Sequence, residues 1–108
     1  GQQVAEEILS ISDKPTAVIA VSDLMALEVM KTFRKAGVAV PEDISIIGFD
    51  DIPASRYSDP ALTTVAQDGI GLGKEATKFI LDSLKGKKTE NAKLLPTELI
   101  VRESVCER

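Results

Sequence analysis

The sequence predicts an α/β fold, a parallel sheet with flanking helices, on three observations. Two continuous apolar runs, residues 16–21 and 44–49, are bounded by Pro15 and Ser22-Asp23 and by Glu42-Asp43 and Asp50-Asp51. Runs this short suit strands covered on both faces rather than helices. Between them lies a segment with helical apolar spacing, so strand, helix and strand follow in the order of a βαβ unit, whose crossover is right-handed in nearly every known case.

The elements follow in chain order. Val4, Ile8 and Ile11, with Leu9 beside them and Glu6 and Glu7 facing away, make residues 2–12 an amphipathic helix that Asp13-Lys14-Pro15 stops. After the first strand, Ser22 or Asp23 caps a helix over about 23–36; Met25, Val29, Met30 and Phe33 form its apolar face, Arg34 and Lys35 its last turn, and Gly37 its stop. The second strand, residues 44–49, runs into Asp50-Asp51, and residues 51–61, with Pro53, Ser55, Ser58, Asp59 and Pro60, read as a loop. A short third strand is expected at 62–66. Leu72, Ala76, Phe79, Ile80 and Leu84 then give a helix over about 70–85, ended by Gly86. Lys87, Lys88 and Asn91 belong to a polar loop, and residues 94–101 form a last extended segment in which Leu95, Thr97, Leu99 and Val101 share one face.

Composition narrows the function. The chain has 108 residues, with 13 Lys+Arg against 17 Asp+Glu and 44% hydrophobic residues, so it is one domain or a piece of one. With no His and a single Cys, Cys106, it lacks the residues for the usual zinc sites, a Ser-His triad or an internal disulfide. No catalytic residue, metal ligand or cofactor is expected. A net charge of −4 disfavours phosphate neutralisation, and so direct DNA binding by this piece. No apolar run approaches the roughly 20 residues of a membrane span, and the Gln2–Glu7 stretch is polar and acidic, unlike a signal peptide; a cytoplasmic protein without membrane partners is expected.

Ligands of an open parallel sheet bind outside the carboxyl ends of its strands. Ser22-Asp23 and Asp50-Asp51 lie at those points, although the first pair also suits a helix cap and the second a turn before Pro53. Gly69, Gly71, Gly73 and Lys74 invite a phosphate-loop reading that their chemistry defeats. A Walker loop needs Gly where Asp68 stands and Ser or Thr where Glu75 stands. The cluster reads as a flexible start to a helix, and Lys85, Lys87 and Lys88 as a solvated helix end.

Three ordered blocks carry a resemblance: Pro15-Thr16-Ala17-Val18-Ile19-Ala20-Val21-Ser22-Asp23-Leu24-Met25-Ala26-Leu27; then Gly37 and Val40-Pro41-Glu42-Asp43-Ile44-Ser45-Ile46-Ile47-Gly48-Phe49-Asp50-Asp51; then Pro60-Ala61-Leu62-Thr63-Thr64-Val65-Ala66-Gln67. The chain resembles the lactose-repressor (LacI/GalR) family of bacterial transcription regulators, and Leu95-Pro96-Thr97-Glu98-Leu99-Ile100-Val101-Arg102 continues the match. The resemblance implies the C-terminal portion of a type I, periplasmic-binding-protein-like two-lobed core, incomplete in this chain. Residues 1–61 would lie mainly in the C-terminal lobe, 62–67 in a lobe crossover, 68–93 in a helix and loop of the other lobe, and 94–108 in a return strand and tail. It further implies a sugar- or nucleoside-like effector in the cleft between the lobes, a homodimer, and operator DNA bound only through an N-terminal helix-turn-helix that this chain lacks.

Carried over by residue, the resemblance makes Asp50 and Ser22 the effector-binding candidates and Leu27 and Tyr57 candidates for a dimer seam. The family's Asn before Asp is Ser22 here, a shorter group with one donor, which leaves Asp50 the stronger candidate. Its carboxylate can accept paired hydrogen bonds from vicinal hydroxyls. Asp23 reads as the helix start. Two alternatives stand beside this reading: a periplasmic sugar receptor of the same fold, distinguished by a signal peptide in place of a helix-turn-helix, and a Mg²⁺-dependent phosphoacceptor, which would need a Lys at a strand end that the sequence does not supply. An isolated chain of this kind is expected either to pair with another copy, by its exposed sheet edge or by exchange of the 70–85 helix and 94–101 strand, or to be the ordered remnant of a longer chain, and to bind effector weakly or not at all.

Overall fold

A computed structural model of the chain describes residues 1–87 and 92–107. Lys88 and Asn91, expected in a polar loop, lie outside the described residues. The elements are α1 (Gln2–Ser10), β1 (Ala17–Ile19), α2 (Asp23–Lys35), β2 (Ser45–Asp50), α3 (Pro53–Tyr57), β3 (Thr63–Gln67), α4 (Gly69–Leu84) and β4 (Thr97–Ile100). The described strands form one sheet in the order β1-β2-β3-β4. Ala17 pairs with Ser45 and Ile19 with Ile47 in parallel, and Ile47 with Thr63 through Asp50 with Ala66, also in parallel.

The chain divides into two compact units, Gly1–Ala66 with Leu99–Arg108, and Gln67–Glu98. In the first, the helical spacing of Ala26, Val29, Met30 and Phe33 lays one face of α2 against Ala5 of α1, Ala20, Ile44, Ile46 and Leu62, and all nine of these residues are buried. Hydrophobic burial of that stripe fixes α2 on the sheet. Residues 102–104 are stitched into the same unit. Ile46 N–H donates to Ser104 O at 2.7 Å, the Ser104 hydroxyl donates to Ile46 O at 2.6 Å, and the same hydroxyl accepts from Thr63 N–H at 2.8 Å. Ser104 thus satisfies backbone groups of Ile46 and Thr63 where the pairing of β2 with β3 begins.

In the second unit, Asp68 caps α4 by accepting from Gly71 N–H at 2.8 Å. A Cβ on Gly71 would collide with that carboxylate, so this glycine makes room for the cap. No residue of α4 is buried.

Residues 16–21 contribute a strand, β1, of three residues; it ends the described sheet and leaves Ile19 and Val21 each 78% exposed, in keeping with the open sheet edge expected of this chain. Two expectations need correction. Residues 51–61 are not all loop. Pro53 at the first position, its φ preset for a helix, starts α3. The last strand begins at Thr97 rather than residue 94, after Pro96, which has no N–H to give a ladder. Its expected apolar face is open here, with Leu99 and Val101 exposed.

Candidate functional site

Parallel pairing brings the carboxyl ends of β1 and β2 to one edge of the sheet. Ser22 and Asp50 each lie three residues beyond the Ile19–Ile47 pair. The chain turns sharply there: Asp50 has φ 113° and Asp51 φ 50°. The second value is one an aspartate tolerates; the first lies where side-chain-bearing residues are rare and costs about 1–3 kcal/mol. Such a backbone persists only when its surroundings impose it.

They do so through buried polar groups. Asp23, fully buried, accepts at Oδ1 from the Thr64 hydroxyl at 2.5 Å, and at Oδ2 from the Ser55 hydroxyl at 2.6 Å and Ile52 N–H at 2.9 Å. Its side chain passes over β2 at Gly48, where a Cβ would strike Asp23 Oδ1 and lie 2.9 Å from Leu62 Cδ2. The glycine of the Gly48-Phe49-Asp50-Asp51 run is therefore a gap for a carboxylate arriving from α2. Thr64 extends the network, its oxygen accepting from Asp51 N–H at 3.4 Å.

Asp51 is held from the side-chain end as well. Its Oδ1 accepts from Arg102 Nη2 at 2.5 Å and its Oδ2 from Arg56 Nη2 at 3.2 Å. The Arg102 guanidinium, with help from Arg56 and against the effect of burial, holds the Asp51 carboxyl below its ordinary value.

The expected site residues divide accordingly. Asp50 is exposed at the end of β2. Ser22 is the N-cap of α2, accepting from Met25 N–H at 3.3 Å, a role that leaves its hydroxyl proton for another acceptor. Leu27 is only partly exposed and packs against the core, whereas Tyr57, at the end of α3, is 86% exposed; Leu24 is the more open apolar residue of α2, at 68%. Asp23, expected as a simple helix start, is in the first turn, but its carboxylate serves β3 and α3 rather than its own helix. With Asp23 taken by hydroxyl and amide donors and Asp51 by two guanidiniums, neither is disposed to a cation. Among the described residues no group of three or more His, Cys, Asp or Glu is placed to hold a metal ion, and no helix is long and apolar enough to cross a membrane.

Sequence reasoning missed Arg102. The available signal was a lone cation closing the apolar run Leu99-Ile100-Val101, opposite a chain rich in strand-end carboxylates.

A parallel sheet with its polar corner at the strand ends, Gly48 and the strained Asp50 included, is consistent with a periplasmic-binding-protein-like domain, and the chain belongs to that family: the model of the periplasmic binding protein-like domain matches residues 2–105. Within it, the sequence and fold are those of part of the core of LacI-type regulators. The HTH-type transcriptional repressor CytR of Escherichia coli K12 is 40% identical over 105 residues, which are 96% of this chain and 31% of the repressor. The Lac repressor dimer bound to operator and the anti-inducer ONPF superposes with a TM-score of 0.91 at 32% identity, over 97% of this chain and 37% of that one. The transcriptional regulator CelR–cellobiose complex gives 0.87 at 36% identity, over 95% and 32%. The chain thus spans about a third of the length of the curated relatives it matches.

Proposed function

We propose that this chain is the effector-sensing and dimerisation portion of a bacterial, cytoplasmic LacI-type repressor that binds a sugar or nucleoside-like small molecule between two lobes and controls an operator-binding helix-turn-helix outside this chain. The larger unit supplies part of one lobe, the smaller unit part of the other, and residues 62–67 with the return strand the crossovers. The observation that carries this reading is Asp50, an exposed carboxylate at the carboxyl end of β2 on a backbone of φ 113°. A carboxylate fixed there accepts two hydrogen bonds from adjacent hydroxyls, which suits a polyol. The relatives support it, since those named are transcriptional repressors and one regulator is solved with cellobiose. Ser22 is the second contact in this reading, through its hydroxyl proton.

Calorimetry on the full-length protein, screened with cellobiose, ribose, cytidine and adenosine, tests it. Asp50→Asn is expected to weaken the best of these by about 10- to 100-fold, the value of a charge-assisted hydrogen bond. Unchanged affinity in a folded variant removes Asp50 from the site. For the subunit seam, Tyr57 is the stronger candidate because an exposed aromatic is a common interface anchor, while Leu27 already spends much of its surface on the core. Tyr57→Asp is expected to shift sedimentation of the full-length protein toward monomer; association as strong as in the parent places the seam elsewhere.

A further inference from the structure

Arg102 touches two separate segments at once, the turn after β2 and the start of β3. Its Nη2 donates to Asp51 Oδ1 at 2.5 Å, its Nη1 to Leu62 O at 2.8 Å, and its backbone N–H to Thr63 Oγ1 at 2.8 Å. The guanidinium is 13% exposed and the Asp51 carboxylate 12%, so solvent screens the pair little. Leu62 and Thr63 begin the stretch by which the chain leaves the larger unit after Ala66, and Arg102 lies just inside the return at Leu99. A planar fork with donors in fixed directions makes this double contact with a carboxylate and a carbonyl; an ammonium does not.

We propose that Arg102 is a positioning residue for the effector corner: by gripping Asp51 and Leu62 together it holds the turn that aims the Asp50 carboxylate, and ties that turn to the outgoing and returning segments of the chain. This rests on the reading of Asp50 as an effector contact. Asp50 sits at φ 113° with Asp51 next to it, and Asp51 is anchored at its carboxylate by Arg102 and Arg56 and at its N–H by Thr64. Releasing the strongest of these anchors lets the turn relax toward ordinary backbone, and the carboxylate of Asp50 moves with it. The lowered carboxyl of Asp51 agrees with a strong grip.

The test uses the full-length protein and the tightest binder among cellobiose, ribose, cytidine and adenosine. Arg102→Met is expected to weaken that binder about 10- to 100-fold, the scale of a misplaced binding group. Amide exchange should rise at residues 50–52 and 62–64 while α2 stays protected. Asp51→Asn should do the same, and the double variant should lose no more than the worse single variant, because both break one device. Arg102→Lys should recover part of the affinity, keeping the charge and losing the fork. The proposal is overturned if Arg102→Met leaves affinity and local exchange unchanged, if losses in the two single variants simply add, or if exchange rises throughout the unit, which marks a merely structural role. Should Arg102→Met misfold, Arg102→Lys decides: parental exchange and affinity together overturn the proposal. Asp50→Asn separates the two readings. If it leaves affinity intact while Arg102→Met lowers it, the Asp50 assignment fails and Arg102 acts through another contact, which also overturns the proposal as stated.

Discussion

Two helices with the same kind of apolar spacing end in opposite surroundings. On α2, Ala26, Val29, Met30 and Phe33 are buried against the sheet and α1. On α4, Ile70 is 75% exposed, Leu72 54%, Phe79 45%, Ile80 58% and Leu84 79%, although its apolar positions recur as regularly. Helical periodicity therefore establishes that an apolar face exists, and only neighbouring structure decides whether it is covered. One ion pair from each unit shows the same contrast. Asp51 and Arg102 meet at 12% and 13% exposure, whereas Glu75 and Lys93 meet at 38% and 56%.

The sharpest way to break the comparison is truncation of one Phe on each helix. Phe33→Ala is expected to cost about 3–5 kcal/mol in urea unfolding of this chain, since a wholly buried ring leaves a cavity. Phe79→Ala should cost under about 1 kcal/mol, as for surface substitutions. Comparable losses at the two sites would show that α4 is covered in solution, by another copy or by its own chain.

Next in size is Gly48→Ala. Its Cβ would enter the space of Asp23 Oδ1 and crowd Leu62, so overpacking costs about 1–3 kcal/mol, before any loss of the Thr64, Ser55 and Ile52 hydrogen bonds. A melting temperature equal to that of the parent would mean that Asp23 can move aside freely. Substitution at Gly73, where a Cβ meets nothing, is the control, and Gly73→Ala should be neutral or slightly stabilising within its helix.

The smallest effect separates the two ion pairs by acid. Asp51 has its folded-state carboxyl lowered from 3.8, chiefly by Arg102, so its contribution to stability is complete above that value and is lost as pH falls through the folded value. Acid titration of stability should therefore show a step below about pH 4 that shrinks in Arg102→Met. Glu75 is also lowered, by Lys93, but in the open. Lys93→Met should leave the acid titration almost unchanged, and 0.5 M salt should erase what difference it makes, because exposed pairs are screened at about that ionic strength. An acid step that ignores Arg102 would show that another carboxylate governs it.

How much of this was legible beforehand depends on the range of the interaction involved. The strand-helix-strand order, the Ser22 and Asp23 start of α2, and the exposure of a carboxylate after β2 follow from residues within a few positions of one another. Apolar runs and caps are local codes. The resemblance to the lactose-repressor family also lay in the residues themselves, and the match of the family model to residues 2–105 agrees with it.

The rest was settled by contacts between distant residues. Nothing in Ser22-Asp23 says that its carboxylate will be claimed by Thr64 and Ser55, 41 and 32 positions away, or that Gly48 must be bare to let it through. An apolar run such as residues 16–21 does not name its partner, and only the parallel pairing of Ala17 with Ser45 and Ile19 with Ile47 sets β1 beside β2. Arg102 lies 51 residues from Asp51, so its grip on the turn after β2 exists only once the chain has returned. Local sequence fixes which backbone conformations and which polar groups are available, because those energies depend on near neighbours; which buried charge meets which donor depends on closing long loops, and that is decided when the whole core excludes water and leaves each polar group to find its partner.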